Sequence, residues 1–504
     1  MKFIAYDFGT GGVKASLYDE NCRTKAKSFI KYPTYYPQSN LHEQKPSDWW
    51  NGVIDSTKLL LKESATLPEE ISCIALSGQS CVSVPLDKNL KPLVQTVPIW
   101  SDTRATTEVK EFFQNIDEEN WYMTTGNGFP PACYYLFKLM WFRKHHPEKY
   151  AQIYKVAGSK DYINLMLTGN LYTDYSYASS SGAYDLKLKR MAPELINASG
   201  MREDMFPEIV PSHTIVGTLT KEAALATGLH EGVRVACGGV DNACMAMGAV
   251  GSAEGAIYTS LGSSSWVPVN SSEPILDYKT RPYVFAHIDE NMFTSAYSIF
   301  AGGSSLEWAK DMLCKDLKDD DIYGQISAMV DKVPVGSGGI LFNPSLAGGT
   351  SQDKSTNIRG TFVGLHLGTT REEMMRATME GIALNLRSSL ELIKKQVNLE
   401  DRILFCGGGS KSSVWMQMFA DIFDLKIIKS NIDQDAASLG AAAICVRGME
   451  IWQDYSNIVS LHQIEQEYSP SAENNAKYNK IYETFSHVCD IAADLGDYMA
   501  ERPV

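Results

Sequence analysis

The sequence predicts an α/β protein of two related domains that meet across a wide cleft, on three observations. Its 504 residues are more than one hydrophobic core organises. Short β-branched runs such as SCIALSG (72–78) and VRVACGG (233–239) alternate with helical stretches such as Asp48 to Lys62 and Ala132 to Lys144. A glycine hairpin also occurs twice, about half a chain apart: Asp7-Phe8-Gly9-Thr10 aligns with Ser260-Leu261-Gly262-Ser263.

The opening KFIAYDFGTGGVKASLYD reads as strand, tight turn and strand, with Gly9 to Gly12 turning. AIYTSLGSSSWVPV repeats the device from Ala256 onward. Farther on, Glu372 to Lys395 carries Met375, Met379, Ile382, Leu386, Leu390 and Ile393 at helical spacing. Ser413 to Asp424 does the same with Val414, Met418, Phe419, Ile422 and Phe423. Both are core-facing amphipathic helices whose Met and Phe stripes need no cofactor. The run ILFCGGGSKSSVW (403–415) is read as a strand that ends in three glycines and leads straight into a helix. A boundary near Gly248 to Gly255 is expected to separate domains 1–247 and 248–504, and since no Pro-rich or Gly/Ser linker marks it, the two are expected to meet over a wide cleft.

Composition narrows the function. The chain is 44% hydrophobic and 21% charged, the balance of an ordinary folded protein. Its net charge of -14, with Lys and Arg scattered, disfavours nucleic acid and an anionic membrane surface as partners. A phosphorylated ligand would therefore be held by backbone NH groups and a few placed cations. The ten cysteines form no C-x-x-C pair and no zinc spacing with histidine, so reduced thiols in a cytoplasmic setting are expected. MKFIAYDFGTG lacks the apolar core of a signal peptide, and no later run is long enough to span a bilayer.

Four constellations carry candidate chemistry. In the first hairpin, Asp7, Gly9, Thr10 and Lys14 combine an acid, a glycine turn, a hydroxyl and an ammonium, the outline of a phosphate and magnesium site. A plain hairpin with a surface lysine reads equally well until the second copy, at Gly262 and Ser263, is added. Gly407-Gly408-Gly409 leaves room for a base or ribose, or merely turns the chain. Gln79, Ser80 and Cys81, together with Trp100, Asp102 and Arg104, suit a polyhydroxylated ligand, although an Asp/Arg pair in a loop is more often a structural salt bridge. Finally, CGGVDNACMAMGAVG (237–251) sets Asp241 after two glycines, where an aspartate by itself reads as a helix N-cap.

Taken together, these segments resemble the FGGY carbohydrate kinases, in particular their xylulokinase-like branch. The likeness runs from Asp7 to about Met449 and rests on DFGTGGVK, HEQKPSDWW, SGQ with PIWSDTR, GGVDNACMAMG, SLGSSSW, AGGSSLEW, GGGSKSSVWMQMFADIF and ASLGAAAICVRGM. GTFVGLHLGTTREEMMRATME (360–380) follows the family's C-terminal signature at every specified position. The N-terminal signature fits at Lys138, Leu139, Trp141 and Phe142, but Leu136 stands where Pro, Ser or Thr is preferred.

The resemblance implies two actin-like, ribonuclease-H-like domains flanking a deep catalytic cleft, with ATP and Mg2+ as cofactors and a small sugar as substrate. Asp241 is then the catalytic base. Asp7 holds the metal, and Gly9, Thr10, Lys14, Gly262, Ser263, Gly303, Gly408 and Gly409 face the nucleotide. Gln79, Ser80, Cys81, Trp100, Asp102, Arg104 and Asn242 line the sugar side with Asp241. An ionised Asp241 is expected to work without a raised pKa, because phosphoryl transfer withdraws the acceptor's proton late. Family habit suggests a homodimer.

Two departures bear on the substrate. Ser80-Cys81-Val82 replaces the Met-His-Gly usual in xylulokinases, and Ala347-Gly348-Gly349-Thr350-Ser351-Gln352 replaces S-G-E-R-T-P. Other polyols, deoxy sugars or sugar acids therefore stand beside a ketopentose. A rival class is an actin- or chaperone-like ATPase that closes on a protein partner, and a third is a silent sugar sensor. The sugar-side segments count against the ATPase, and the intact Asp7 and Asp241 count against the sensor.

Overall fold

A computed structural model describes residues 1–317, 321–432 and 435–502. Two sheets of the same design dominate it. In the first, the antiparallel strands Lys2–Gly9, Gly12–Asp19 and Thr24–Lys31 are extended by Ile71–Gly78, which runs parallel to the first strand. Arg234–Ala236 and Gly239–Val240 then pair in parallel with Ile71–Gly78. The second sheet repeats the pattern with Tyr258–Leu261, Ser265–Ser271 and Phe293–Ile299 antiparallel, followed by Arg402–Cys406 and Lys426–Ser430 in parallel. The weak likeness between the two glycine hairpins thus marks equivalent positions in two equivalent sheets.

The sheets are buried on both faces, as parallel strands rich in Ile, Val, Leu and Ala require. Helix Pro46–Ser64 covers the outer face of the first sheet. Helices Arg371–Lys394 and Ser413–Phe423 cover the second, with spans close to those read from the sequence. Arg371–Lys394 starts at a capping box in which Thr370 and Glu373 satisfy each other's backbone NH groups.

Between the sheets lie two more helices, Asp241–Val250 and Ala436–Gly448. One core cluster joins them to Phe3, Ala5 and Cys73 of the first sheet and to Tyr258, Leu404 and Ile428 of the second. They cross so closely that a Cβ on Gly248 would strike the carbonyl of Ala436, and one on Gly440 the carbonyl of Cys244. The small residues of GGVDNACMAMGAVG and ASLGAAAICV are therefore a crossing requirement. Helix Asp241–Val250 runs through position 247, and Ala436–Gly448, late in the chain, packs on the first sheet.

No disulfide joins the ten cysteines, and nine of them are buried. Among the described residues no helix is long and apolar enough to cross a membrane.

Candidate functional site

Three strand ends build the centre of the site. Strands Lys2–Gly9, Ile71–Gly78 and Gly239–Val240 are parallel, and their register sets Asp7 beside Ser77 and Val240 beside Gly78. The residue after Val240 is Asp241, so its carboxyl group stands at the same sheet edge as that of Asp7. Ser77 Oγ donates to Asp7 Oδ1 at 2.9 Å, and Lys14, opposite Asp7 in the hairpin, lies 3.8 Å from Oδ2. Lys14 also reaches Asp435, at 3.3 Å, just before the crossing helix Ala436–Gly448.

Asp241 differs from expectation in two ways. It is the first residue of its helix, with Val240 as the cap, and its Oδ1 accepts from the next backbone NH, that of Asn242, at 2.9 Å. Its carboxyl group is also far from an ordinary one. Burial, with the charge of Asp7 added to it, pushes its pKa up to about 7. Burial raises Asp7 as well, against the opposing pull of Lys14 and Ser77. A neutral or ionised state at Asp241 is therefore decided near physiological pH.

The second-lobe residues come together in the structure. Gly262, Ser263, Gly303, Gly408 and Gly409 line one cavity of about 650 Å³, along with Trp415 and Lys411. Helix Gly303–Leu313 begins directly on the hairpin, Gly303 N donating to Gly262 O at 2.8 Å and Ser304 N to Ser263 O at 3.1 Å. A Cβ at Gly303 would lie 2.5 Å from Gly262 O, which is why glycine stands there. Gly407 takes a left-handed φ of +93°. The expected direct junction of strand and helix is corrected: a short 3-10 turn, Gly408–Lys411, intervenes, and Ser412 caps the helix by accepting from Trp415 N. The glycine run therefore forms the cavity wall without being the helix N-terminus.

On the first-lobe side, a polar relay links the sugar-side segment to the first hairpin. Gln79 Nε2 donates to Gln44 Oε1 at 2.7 Å, while Gln44 Nε2 donates to Thr10 O at 2.8 Å. Trp49 Nε1 also donates to Gln44 Oε1, at 2.9 Å. Gln79 Oε1 is buried with no hydrogen-bond partner among the described residues. Half-exposed Trp100 donates through Nε1 to Thr10 Oγ1 at 3.1 Å. Ser80 and Cys81 are buried beside Gln79, Cys81 has a φ of +57°, and its thiol feels the charge of Asp241.

Asp102 and Arg104 are a correction. Asp102 is fully buried and accepts from His42 N, Arg104 N, Arg104 Nε and Arg104 NH2, which leaves no open acceptor for a ligand. Arg104 also pairs with Glu43 at 2.6 Å and lies over the Trp141 ring. The two brace the loop that carries Trp100, the structural alternative the sequence left open. Buried Lys138 does related work, donating to the carbonyls of Ile99 and Cys81 at 2.6 and 3.2 Å.

Comparison with known proteins decides the family. The model of the FGGY family of carbohydrate kinases, N-terminal domain, matches residues 2–248, and that of the C-terminal domain matches residues 257–449. The chain belongs to the FGGY carbohydrate kinases. As a family member it is an enzyme that phosphorylates a sugar. It is 29% identical over 500 residues to xylulose kinase of Bacillus subtilis (strain 168), covering 98% of each chain. To gluconokinase of the same organism it is 28% identical over 454 residues, 88% of this chain and 86% of the relative. Among solved structures, xylulose kinase from Rhodospirillum rubrum superposes with a TM-score of 0.91 at 25% identity, over 99% of this chain and 100% of that one. Gluconate kinase from Lactobacillus acidophilus superposes with a TM-score of 0.89 at 24% identity over 99% of each chain. The two-domain actin-like fold is common to them.

Sequence reasoning missed Gln44, although HEQKPSDWW contains it, and it missed Asp435. The contacts that bring them to the site have no local signal: Gln44 meets Thr10 and Gln79 across 34 and 35 positions, and Asp435 meets Lys14 across 421.

Proposed function

We propose that this FGGY kinase transfers the γ-phosphoryl group of ATP to a hydroxyl of a small ketopentose, xylulose being the first candidate. The carrying observation is the pairing of Asp241 with Asp7 at one sheet edge, with the two glycine hairpins in equivalent places of the two sheets. Full-length similarity to xylulose kinases supports the substrate class.

In this reading Asp241 accepts the proton of the sugar hydroxyl as that oxygen attacks phosphorus in line with the departing ADP oxygen. Because the transition state is loose, orienting the hydroxyl matters more than early deprotonation. Gly262, Ser263 and Gly303 offer backbone NH groups to the polyphosphate, and Gly9, Thr10 and Lys14 approach it from the first lobe. Gly408 and Gly409 face the adenosine, and Gln79, Ser80, Cys81, Trp100 and Asn242 face the sugar. Domain 1–247 thus carries the sugar and 248–504 most of the nucleotide, in a cytoplasmic enzyme.

The residues fit a magnesium ion. Two carboxylates whose ionisation is opposed by burial and by a neighbouring acid, Asp435 for Asp7 and Asp7 for Asp241, suit a hard divalent cation that keeps waters and phosphate oxygens as its other ligands. Among the described residues no group of three or more His, Cys, Asp or Glu forms a self-sufficient cage. Asp7 would hold the ion, whose chemistry is to neutralise charge on the phosphates.

A sugar acid such as gluconate is the second reading, favoured by the gluconokinase relatives and by the absence of an imidazole at Ser80-Cys81-Val82. A coupled assay of ADP release across xylulose, other ketopentoses, pentitols, deoxy sugars and gluconate tests both. Release that no sugar stimulates would remove the kinase reading in favour of an ATPase.

A further inference from the structure

Lys160, Asp161 and Asp174 form an ion cluster with virtually no exposed surface, behind the strand that delivers Asp241 and outside the residues assigned above. Lys160 Nζ lies 2.6 Å from Asp161 Oδ1 and 3.0 Å from Asp174 Oδ1, and the three side chains are at most 1% exposed. Burying such a cluster costs desolvation that its Coulomb attraction does not reliably repay, so stability alone is a poor account of it. Its remaining bonds give a better one.

Lys160 Nζ also donates to the carbonyl of Cys237, at 3.2 Å, and Asn164 Nδ2 donates to the same oxygen at 2.7 Å. The other end of the cluster reaches the same segment three residues later. Asp174 Oδ2 accepts from Ser176 N, Ser176 Oγ and Ser212 Oγ. With its proton committed to Asp174, Ser176 Oγ accepts from Val240 N at 2.9 Å. One buried ion pair therefore grips Cys237 on its carbonyl side and Val240 on its NH side. Gly238, at a φ of +80°, and Gly239, whose added Cβ would lie 3.2 Å from Ser176 Oγ, let the strand lie against this grip. Asp241 is the next residue, and among the described residues no other side chain hydrogen-bonds to its carboxyl group.

We propose that Lys160, Asp174 and Ser176 are positioning residues for Asp241: they clamp both ends of the segment 237–240 and so set where the carboxylate meets the acceptor hydroxyl. The clamp acts through the backbone and touches neither sugar nor nucleotide. This inference rests on the reading of Asp241 as the base.

The test is Ser176→Ala, which removes the acceptor of Val240 N but leaves the ion pair, assayed beside Ser176→Thr and Asp241→Ala. A misplacement of about 1 Å costs on the order of 100-fold in rate. The expected result is a kcat lowered about 10–100-fold with the KM for ATP within about threefold of wild type, and substantial recovery in Ser176→Thr. Asn164→Leu, which loosens the Cys237 end, should lower kcat in the same pattern and covers the case in which Ser176→Ala does not fold. Wild-type kcat in folded Ser176→Ala, or a loss carried wholly by the KM for ATP, overturns the proposal. If Asp241→Ala keeps its turnover, it is the assignment of the base that fails. A dead Asp241→Ala beside fully active Ser176→Ala and Asn164→Leu sinks the clamp alone.

Discussion

Asp7 and Asp241 stand at the ends of parallel strands flanking Ile71–Gly78, and the charge of the first adds to burial in holding the second near a pKa of about 7. Two acids so placed have different prospects. Asp7 has Ser77 and Lys14 beside it, whereas Asp241 has a backbone NH and an open direction. The difference suits the roles proposed for them, charge-holding at Asp7 and proton acceptance at Asp241.

Replacing Asp241 by alanine should lower kcat by about 10²–10⁴-fold, the usual worth of a positioned base. Nucleotide affinity should stay within about threefold, because the cavity lined by Gly262, Gly303 and Gly408 is untouched. Steady-state kinetics beside calorimetric titration of ADP would check this. A matched loss of affinity would show that the residue holds the nucleotide.

The raised carboxyl also predicts a pH profile. The rate kcat/KM for the sugar should climb about tenfold per pH unit below about 7 and level off above it. Asp7→Asn removes the smaller cause, so the limb of whatever activity remains should move to lower pH. Stability follows with the opposite sign. Native Asp241 binds its proton more tightly than the unfolded chain, so its contribution to stability falls as pH rises from about 4 to about 7 and stays low above that. Asp241→Asn should therefore melt above wild type at pH 8 and gain nothing below pH 4, as thermal denaturation would show.

Gly408 and Gly409 should part company on substitution. A Cβ at Gly408 meets no protein atom within 4 Å, while one at Gly409 would lie 2.5 Å from Leu261 Cδ2 and 3.0 Å from Trp415. Gly408→Ala should keep its melting temperature and raise the KM for ATP about tenfold or more. Gly409→Ala should cost about 1–3 kcal/mol through overpacking. Equal effects would mean that Gly408 does not face the ligand.

Gln44→Leu tests the relay. It strands Trp49 Nε1 and removes the acceptor of Gln79 Nε2 in a buried setting, at about 1–3 kcal/mol for each unsatisfied group. With Gln79 no longer held, the KM for the sugar should rise more than that for ATP. The comparison of the two constants in one variant is the check.

Much of this was legible along the chain. The hairpin at Gly9 to Gly12, its copy at Gly262 and the helices near 371–394 and 413–423 follow from local turn chemistry and apolar periodicity, which act over a few residues. Among the second-lobe glycines, Gly303 and Gly409 stand where a close neighbour leaves no room for a Cβ, a demand that shows in the sequence as glycine whatever the partner. Asp102 misled, since five residues of loop say nothing of His42 NH, 60 positions away, which helps to saturate it. Lys160, Asp174 and Ser176 were invisible for the same reason. Their meaning lies in a strand more than 60 residues later, and a lysine on a helical face ordinarily reads as solvated.

The crossing of Asp241–Val250 with Ala436–Gly448 has a mechanical consequence. Where two backbones touch through Gly248 and Gly440, no side chain lies between them to be compressed or to slide over. Such a point opposes translation but leaves rotation about itself comparatively easy, as in a pair of shears. Any swing of one half against the other that turned on this contact would pivot within the helix that Asp241 begins, and so would move that residue less than the far rims of the groove.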